Sequence, residues 1–205
     1  MKLLYSSRSP FTRKVMAFAH EAGLVDRLEL ERVVTGAAKP NPVVMAHNPL
    51  NKIPTLILGS GEAIFDSRVI CEYLDGLHNG AKLFPTDAAR RRQSLRWQAL
   101  GDGLMDNLVL RMVEKIRLPG QQSQTHADAY LLKTAAALDM LERESSMLLH
   151  ERPCIGAIAL GSALGYMDFR FFDDGWREGR TGLAAWYAAL SARPSFADTI
   201  HVDAR

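Results

Sequence analysis

The chain of 205 residues is 47% hydrophobic and 23% charged, which is typical of a folded globular protein and excludes a disordered or fibrous one. Its 25 basic and 23 acidic side chains leave a formal net charge of +2, too balanced for a surface dedicated to nucleic acid or to an anionic membrane. Two cysteines make no disulfide framework, and no apolar run approaches the ~18 residues of a membrane span, so we expect a cytoplasmic protein.

The amino-terminal part of the chain, residues 1–79, predicts an α/β domain. Alternating or continuous short apolar runs indicate strands, whereas apolar residues three or four apart indicate helices. In chain order these patterns predict a strand at 2–5, a helix at 10–22, a half-buried strand at 28–31, an irregular connection at 39–49, a hairpin at 55–65 and a helix at 67–77. A parallel strand pair is thus joined to an antiparallel hairpin in one mixed four-stranded sheet.

Beyond residue 79 the alternation typical of strands disappears and long helical patterns take over. Four helices are predicted, around Leu104, Leu138, Leu164 and Trp186. With a linker near 79–87, the chain divides into the α/β domain at 1–79 and an all-α helical bundle at 87–205. No two of the six histidines lie three to five residues apart, so no metal site is predicted.

The turn between the first strand and the first helix carries the sequence SSRSPF at 6–11. Proline is favoured at the first helical position, so Ser9 is predicted to be the N-cap, with its hydroxyl at the positive end of the helix dipole. Taken alone, this is an ordinary structural cap. The same position also suits a bound anion, held by backbone N–H groups and a hydroxyl donor. No histidine is near in sequence, so Ser9 is expected to act as a donor and not as a base.

Pro54 stands immediately before the predicted third strand, where a proline most simply marks the entry to the strand. Only ~5% of X–Pro bonds are cis, so the residues alone do not assign a cis bond here. If the bond is cis, Ile53 turns its backbone N–H and C=O outward, where an extended peptide can pair with them.

Asp66 and Ser67 open the helix after the hairpin, and either residue suits an ordinary N-cap. A functional interpretation uses both: the helix N-terminus and the Ser67 hydroxyl bind a carboxylate, while Asp66 attracts an adjacent ammonium group. Cys71, on the same helix, is expected to be a packed core thiol.

In their order and spacing these three segments resemble those of the cytosolic-type, bacterial glutathione S-transferases, and the resemblance covers nearly the whole chain. The ARPSF segment at 192–196 also resembles the family's closing segment. The resemblance implies a thioredoxin-like domain that binds glutathione, followed by a helical domain that supplies most of the second-substrate pocket. It also implies a homodimer.

By resemblance, Ser9 matches the catalytic serine of theta-like and delta-like members. Ser6 is the alternative, because zeta-like members begin a comparable serine cluster with their active hydroxyl. The resemblance further implies six residues that contact glutathione: Phe11, Lys52, Ile53, the cis-proline Pro54, Asp66 and Ser67. The chain departs from the family's pattern at 154–157, where CIGA replaces the usual Ser or Thr N-cap and aspartate of a core helix, so other groups must stabilise that helix.

The activity that the resemblance implies is that of a detoxifying glutathione transferase. A serine hydroxyl stabilises the glutathione thiolate for attack on a small electrophilic or hydrophobic substrate, and no metal takes part. Two alternatives stay open: a glutathione-dependent reductase or peroxidase, and a non-catalytic relative that binds a protein partner. Neither cysteine lies at the start of the first helix, so attack by a protein thiol is not expected.

Overall fold

The computed structural model describes residues 1–36, 38–149 and 152–203. The predicted helical bundle includes four residues that lie outside the described ones, namely His150, Glu151, Ala204 and Arg205. The chain divides into two compact units. The first comprises Met1–Arg91 together with the segment that begins at Pro194, and the second comprises Arg92–Arg193.

A mixed four-stranded sheet forms the centre of the first unit. Its strands are β1 Lys2–Tyr5, β2 Glu29–Arg32, β3 Thr55–Ile57 and β4 Ala63–Ile64. In space they follow the order β2-β1-β3-β4, with β1 parallel to β2, β1 antiparallel to β3, and β3 antiparallel to β4. The predicted parallel pair joined to a hairpin is therefore confirmed, and with it the thioredoxin-like fold class of this part.

Three helices accompany the sheet: α1 Pro10–Glu21, α2 Pro42–Met45 and α3 Ser67–Gly76. Helices α1 and α3 pack against each other. The first buries Val15 and Phe18, and the second buries Ile70, Cys71 and Leu74, all without exposure to solvent. Cys71 is thus a packed core thiol, as predicted.

Two local expectations for this unit are wrong. The alternation at 28–31 predicted a strand with one buried face, but β2 buries neither face and Leu30 is 42% exposed. The reason is that β2 lies at the margin of the sheet, where among the described elements β1 is its main packing partner. The connection at 39–49 was expected to be irregular, yet it contains α2. That short helix begins because the Asn41 side chain accepts a hydrogen bond from the Val43 N–H at 2.9 Å.

The predicted linker at 79–87 belongs to the first unit, and the division falls after Arg91 instead. The buried Asp75 carboxylate accepts hydrogen bonds from the N–H groups of Leu83 at 2.9 Å and Phe84 at 3.4 Å. The Phe84 ring also lies 5.9 Å from the ring of Phe18. These contacts hold the segment after α3 against the core of the unit.

The end of the chain likewise differs from the predicted division, which assigned 87–205 to one helical domain. A last short helix, α8 Pro194–Ala197, returns to the first unit, where Phe196 is fully buried. Arg13 places its guanidinium 5.2 Å from the Phe196 ring and donates to the Phe196 carbonyl at 3.2 Å. Burial of this ring against α1 is the physical reason for the return.

The second unit contains the four predicted helices. Their bounds are α4 Ala88–Lys115, which begins within the first unit, α5 Gln124–Glu144, α6 Ile155–Arg170 and α7 Thr181–Ser191. Helix α6 is buried along nearly its whole length. The described residues of this unit include no strand, so the all-helical expectation is confirmed. No helix in the described part of the chain is both long and apolar enough to span a membrane.

Candidate functional site

Three loops of the first unit meet at one edge of the sheet. Because β1 and β3 are antiparallel, the end of β1 lies beside the beginning of β3, with Leu4 paired to Thr55. Strand β4 is antiparallel to β3, so its last residue, Ile64, lies at the same edge. The turn at 6–9, the segment at 52–54 and the start of α3 all adjoin these strand ends. The topology therefore brings the three predicted site segments to a common edge.

Ser9 is the N-cap of α1, as predicted. Its backbone is extended, Pro10 occupies the first helical position, and the Ser9 Oγ accepts a hydrogen bond from the Thr12 N–H at 3.2 Å. A serine hydroxyl has one proton to donate and two lone pairs to accept with. Among the described residues the Ser9 Oγ accepts this bond and donates none, so its proton is available to an anion at the positive end of the helix.

The neighbouring serines differ in their partners. Ser6 Oγ accepts from the Arg8 N–H at 3.3 Å, and the Ser6 carbonyl accepts from the Ser9 N–H at 3.0 Å, which closes the turn. Ser7 instead donates its hydroxyl proton to the Val202 carbonyl at 2.9 Å. Ser6 and Ser9 are both part-buried, so neither residue is enclosed in the core.

The carboxyl-terminal segment holds this turn from outside, a feature that the sequence did not indicate. His201 Nδ1 donates to the Ser7 carbonyl at 3.1 Å, and Arg8 forms an ion pair with Asp203 at 2.8 Å. These residues are almost two hundred positions from the turn, so no local pattern signals the contact.

The Ile53–Pro54 peptide bond is cis, as the resemblance implied. Pro54 is buried, Ile53 is part-buried and Lys52 is exposed. Within the described part of the chain, the Ile53 N–H and C=O have no hydrogen-bond partner, so both can pair with an extended peptide laid along this edge.

Asn48 organises the loop before the cis bond, a role that no sequence pattern predicted. Its side chain is nearly fully buried and donates to the Lys52 carbonyl at 3.1 Å and to Thr55 Oγ1 at 3.2 Å. The side-chain oxygen of Asn48, Oδ1, accepts a hydrogen bond from the Leu50 N–H at 3.1 Å. The local signal was the asparagine before Pro49, a pair that is common in turns.

Asp66 and Ser67 have separate tasks at the start of α3. Asp66 is exposed and caps the helix, since its Oδ1 accepts from the Arg68 N–H at 2.9 Å. Ser67 is only 2% exposed, and its Oγ accepts a hydrogen bond from the Lys14 Nζ at 3.4 Å. The ordinary N-cap interpretation is therefore correct for Asp66, whose second carboxylate oxygen is still available to a cation. Lys14 was not identified from the sequence.

Phe11 lies in the first turn of α1, beside Ser9, and is part-buried. It adds an apolar surface next to the polar turn. The edge of the sheet thus combines a hydroxyl at a helix N-terminus, a peptide segment with the exposed Lys52, and an acidic cap. Such a set of groups is suited to a short, extended peptide that carries an anionic centre.

A separate cavity of about 320 Å³ lies in the second unit and contains none of the predicted site residues. It is lined by Leu148, Leu149, Pro153, Ala157, Trp186, Ala189, Leu190 and Arg193. Elsewhere in that unit, burial raises the pKa of Tyr166, against the opposing effect of Arg170, so this phenol is protonated at neutral pH. Among the described residues, no three His, Cys, Asp or Glu side chains group as metal ligands.

Two family models match the chain. The glutathione S-transferase N-terminal domain matches residues 8–77, and the glutathione S-transferase C-terminal domain matches residues 124–189. Among curated proteins, an uncharacterized GST-like protein of Escherichia coli, YibF, is 31% identical over 201 residues, which cover 97% of this chain and 98% of the relative.

Solved structures of similar proteins contain glutathione. A glutathione transferase family member from Pseudomonas fluorescens Pf-5, solved with bound glutathione, has a TM-score of 0.94 and 39% identity, with 98% of each chain covered. A glutathione S-transferase from Methylobacillus flagellatus KT, also solved with glutathione bound, has a TM-score of 0.87 and 37% identity, covering 98% of this chain and 99% of that one.

Proposed function

Since this chain belongs to the glutathione S-transferase family, we propose that it is a glutathione transferase in which Ser9 stabilises the glutathione thiolate. The thiolate attacks an electrophilic carbon of a small substrate, a carbon–sulfur bond forms, and the leaving group departs or the strained ring opens. The thiol proton passes to water, and where an epoxide ring opens, water supplies the proton that the new alkoxide takes up. The role that follows is the removal of reactive electrophiles.

One observation carries this proposal: the Ser9 hydroxyl caps α1 as an acceptor and, among the described residues, donates to no protein group. A thiolate at the helix N-terminus would accept that proton and would also meet the positive end of the helix dipole. The glutathione bound in the similar Pseudomonas and Methylobacillus proteins supports the same ligand for this chain.

Hydrogen bonding at this position is strong enough to ionise the glutathione thiol at neutral pH. A cysteine-type thiol with a pKa of ~8.5 is only ~3% ionised at neutral pH, and a pKa lower by about two units makes roughly three quarters of it thiolate. That change needs ~2.7 kcal/mol of preferential stabilisation. A hydroxyl hydrogen bond to a charged sulfur contributes ~1.5 to 3 kcal/mol and the helix terminus ~0.3 to 1 kcal/mol. No general base is required.

The other predicted site residues each bind a different part of glutathione. We propose that Ile53 pairs with the cysteinyl backbone of glutathione through its N–H and C=O, next to the cis Pro54. Lys52 and Phe11 flank that backbone, the first with a charge and the second with an apolar face. Asp66 and Ser67 receive the γ-glutamyl end, whose ammonium and carboxylate match an exposed carboxylate and a helix N-terminus.

The direct test titrates glutathione into the wild-type protein, follows thiolate formation by ultraviolet absorbance, and then offers a panel of electrophiles. We expect binding, a bound-thiol pKa lower by about two units, and conjugates from a halogenated aromatic or an epoxide. Turnover confined to peroxides or mixed disulfides would instead identify a glutathione-dependent peroxidase or reductase. Absence of binding would favour the non-catalytic partner protein.

We further propose that two copies of the chain form a homodimer. In the first unit the apolar side chains of Val34, Val43 and Leu50 are exposed close together in sequence around α2, and a second copy would cover them. Size-exclusion chromatography with light scattering should give twice the 22.7 kDa mass of the chain. A mass equal to that of one chain would exclude the dimer.

The proposed location is the cytoplasm. Among the described residues, Cys71 and Cys154 form no disulfide, which suits a reducing compartment. Cell fractionation with an antibody against the chain tests this, and recovery outside the cytoplasmic fraction would contradict it.

A further inference from the structure

Lys14 is a fully buried lysine on α1, with 0% of its side chain exposed. Lysine is almost never fully buried unless it is paired, because removing its charge from water is costly. Its Nζ donates to Ser67 Oγ at 3.4 Å, across the contact between α1 and α3. A cationic group therefore lies directly behind the first residue of α3.

The direction of this hydrogen bond determines what Ser67 can do. A lysine ammonium has three donors and no acceptor, so it can only donate to the serine oxygen. The Ser67 proton must then point to some other acceptor. Within the described residues no acceptor for that proton is found, so Ser67 is left as a hydrogen-bond donor at the start of a ten-residue helix.

We propose that Lys14 is a positioning residue that makes this end of the site selective for the α-carboxylate of the γ-glutamyl group. It orients Ser67 as a donor, and it adds positive charge beneath the N-terminus of α3. Burial strengthens both effects, because a buried charge is screened much less by water and salt than an exposed one. This inference rests on the proposed function, since it assumes that glutathione is the ligand.

Lys14 also connects the two ends of the proposed site. The helix that presents Ser9 to the thiol is the helix that carries Lys14 to Ser67. Lys14 lies about one and a half turns of α1 beyond Ser9. A change at Lys14 should therefore weaken binding of the γ-glutamyl end of the ligand. If Lys14 had only a structural role, its replacement would instead destabilise the protein and weaken the binding of all ligands alike.

The experiment compares two ligands on folded protein by calorimetric titration. One is glutathione, and the other is 4-aminobutyryl-cysteinylglycine, the same tripeptide without the α-carboxylate. Lys14→Met keeps an unbranched apolar stem in the buried site and removes the charge. We expect it to weaken glutathione binding about tenfold or more and to change binding of the analogue less than about twofold.

The matched control is Arg13→Met, which removes the neighbouring buried cation of the same helix. Arg13 contacts Phe196 instead of Ser67, so its loss should affect both ligands equally. Equal losses for both ligands in Lys14→Met would overturn the inference and leave Lys14 with a structural role. If the wild-type protein fails to bind glutathione at all, the proposed function itself is wrong, which is a distinguishable result.

A second variant keeps the test valid if Lys14→Met does not fold. Ser67→Ala removes only the hydroxyl and retains the lysine. We expect the same selective loss for glutathione and little change for the analogue. If Ser67→Ala binds both ligands as the wild type does, the proposed orientation of Ser67 by Lys14 is wrong.

Discussion

The backbone N–H of Gly156, at the start of α6, donates a hydrogen bond to the Ser94 hydroxyl of α4 at 3.3 Å. Cys154 stands at the N-cap of α6, but its side chain forms no capping hydrogen bond among the described residues. Ser94 therefore satisfies from a neighbouring helix one of the amides that a Ser or Thr cap would otherwise satisfy. Gly156 permits this approach, since a Cβ there would lie 2.4 Å from the Ser94 carbonyl oxygen.

The first prediction concerns this pair. Ser94→Ala should lower the free energy of unfolding by ~1 to 3 kcal/mol, because it leaves a buried N–H unsatisfied. Gly156→Ala should cost more, because the new methyl group meets backbone atoms that cannot rotate away. Gly103→Ala is the control: it lies in α4 with nothing within 4 Å of the added Cβ, and should stabilise the chain by up to ~1 kcal/mol. Urea unfolding measures all three, and a stabilising Gly156→Ala would contradict the close contact.

The second prediction concerns catalysis by Ser9. Ser9→Ala should reduce kcat more than about tenfold and raise the pKa of the bound glutathione thiol, because one hydrogen bond to the charged sulfur is lost. The dissociation constant of glutathione should change little, since most of the tripeptide binds elsewhere. Steady-state kinetics and a pH titration of the thiolate absorbance check both expectations.

A cap-matched variant separates catalysis from stability in that experiment. Ser123 caps α5 by accepting from the His126 N–H at 3.4 Å, so Ser123→Ala loses a similar ~1 kcal/mol without touching the site. It should leave kcat unchanged. Should Ser9→Ala be harmless while Ser6→Ala damages turnover, the catalytic role belongs to Ser6.

The third prediction separates the two roles of Asp66. Asp66→Asn retains a side-chain oxygen for the Arg68 N–H, so the melting temperature should hardly change, because Asn caps about as well as Asp. The lost charge should weaken glutathione about tenfold by removing attraction for the γ-glutamyl ammonium. Glutaryl-cysteinylglycine, which lacks that amino group, should bind both proteins equally. A loss of the same size for this analogue would show that Asp66 does not contact the ammonium.

The fourth prediction is a pH dependence of stability. Glu144 accepts hydrogen bonds from the side chains of Arg96 and Trp97, and the Arg96 bond is the main reason why the pKa of Glu144 lies below its ordinary value of 4.5, despite burial. The unfolded chain then binds the proton more tightly than the folded one. The stability from this group is present above pH 4.5 and is lost as the pH falls through the lowered pKa.

Glu144→Gln should accordingly lower the free energy of unfolding by ~1 to 2 kcal/mol at neutral pH and by less in acid. Denaturant unfolding at both pH values measures the difference. Glu62→Gln, in the exposed hairpin turn, is the control and should change stability by no more than ~0.5 kcal/mol at either pH. An effect of Glu144→Gln that is equal at both pH values would refute the role of the charge.

Much of the fold and some of the site follow from local patterns. The strands, the longer helices α1 and α3 to α7, the hairpin and the Ser9 cap depend on periodicity or on residues within one helical turn of each other. The cis bond at Pro54 came from the resemblance and not from local physics, since its neighbours alone favour trans. The division into two units was approximate, because the burial of Phe196 against Arg13 joins residues 183 positions apart.

Periodicity, turn residues and caps in this sequence determined a mixed sheet with a serine at the amino end of its first helix, because each of those signals acts over a few neighbouring residues. Only the tertiary structure decided that Lys14 is buried next to Ser67 and that Ser94 accepts a hydrogen bond from an N–H at the start of α6. It also decided that the carboxyl-terminal segment is hydrogen-bonded to Ser7. Burial and charge pairing depend on which distant segments pack together, and a pattern of neighbouring residues does not specify those contacts.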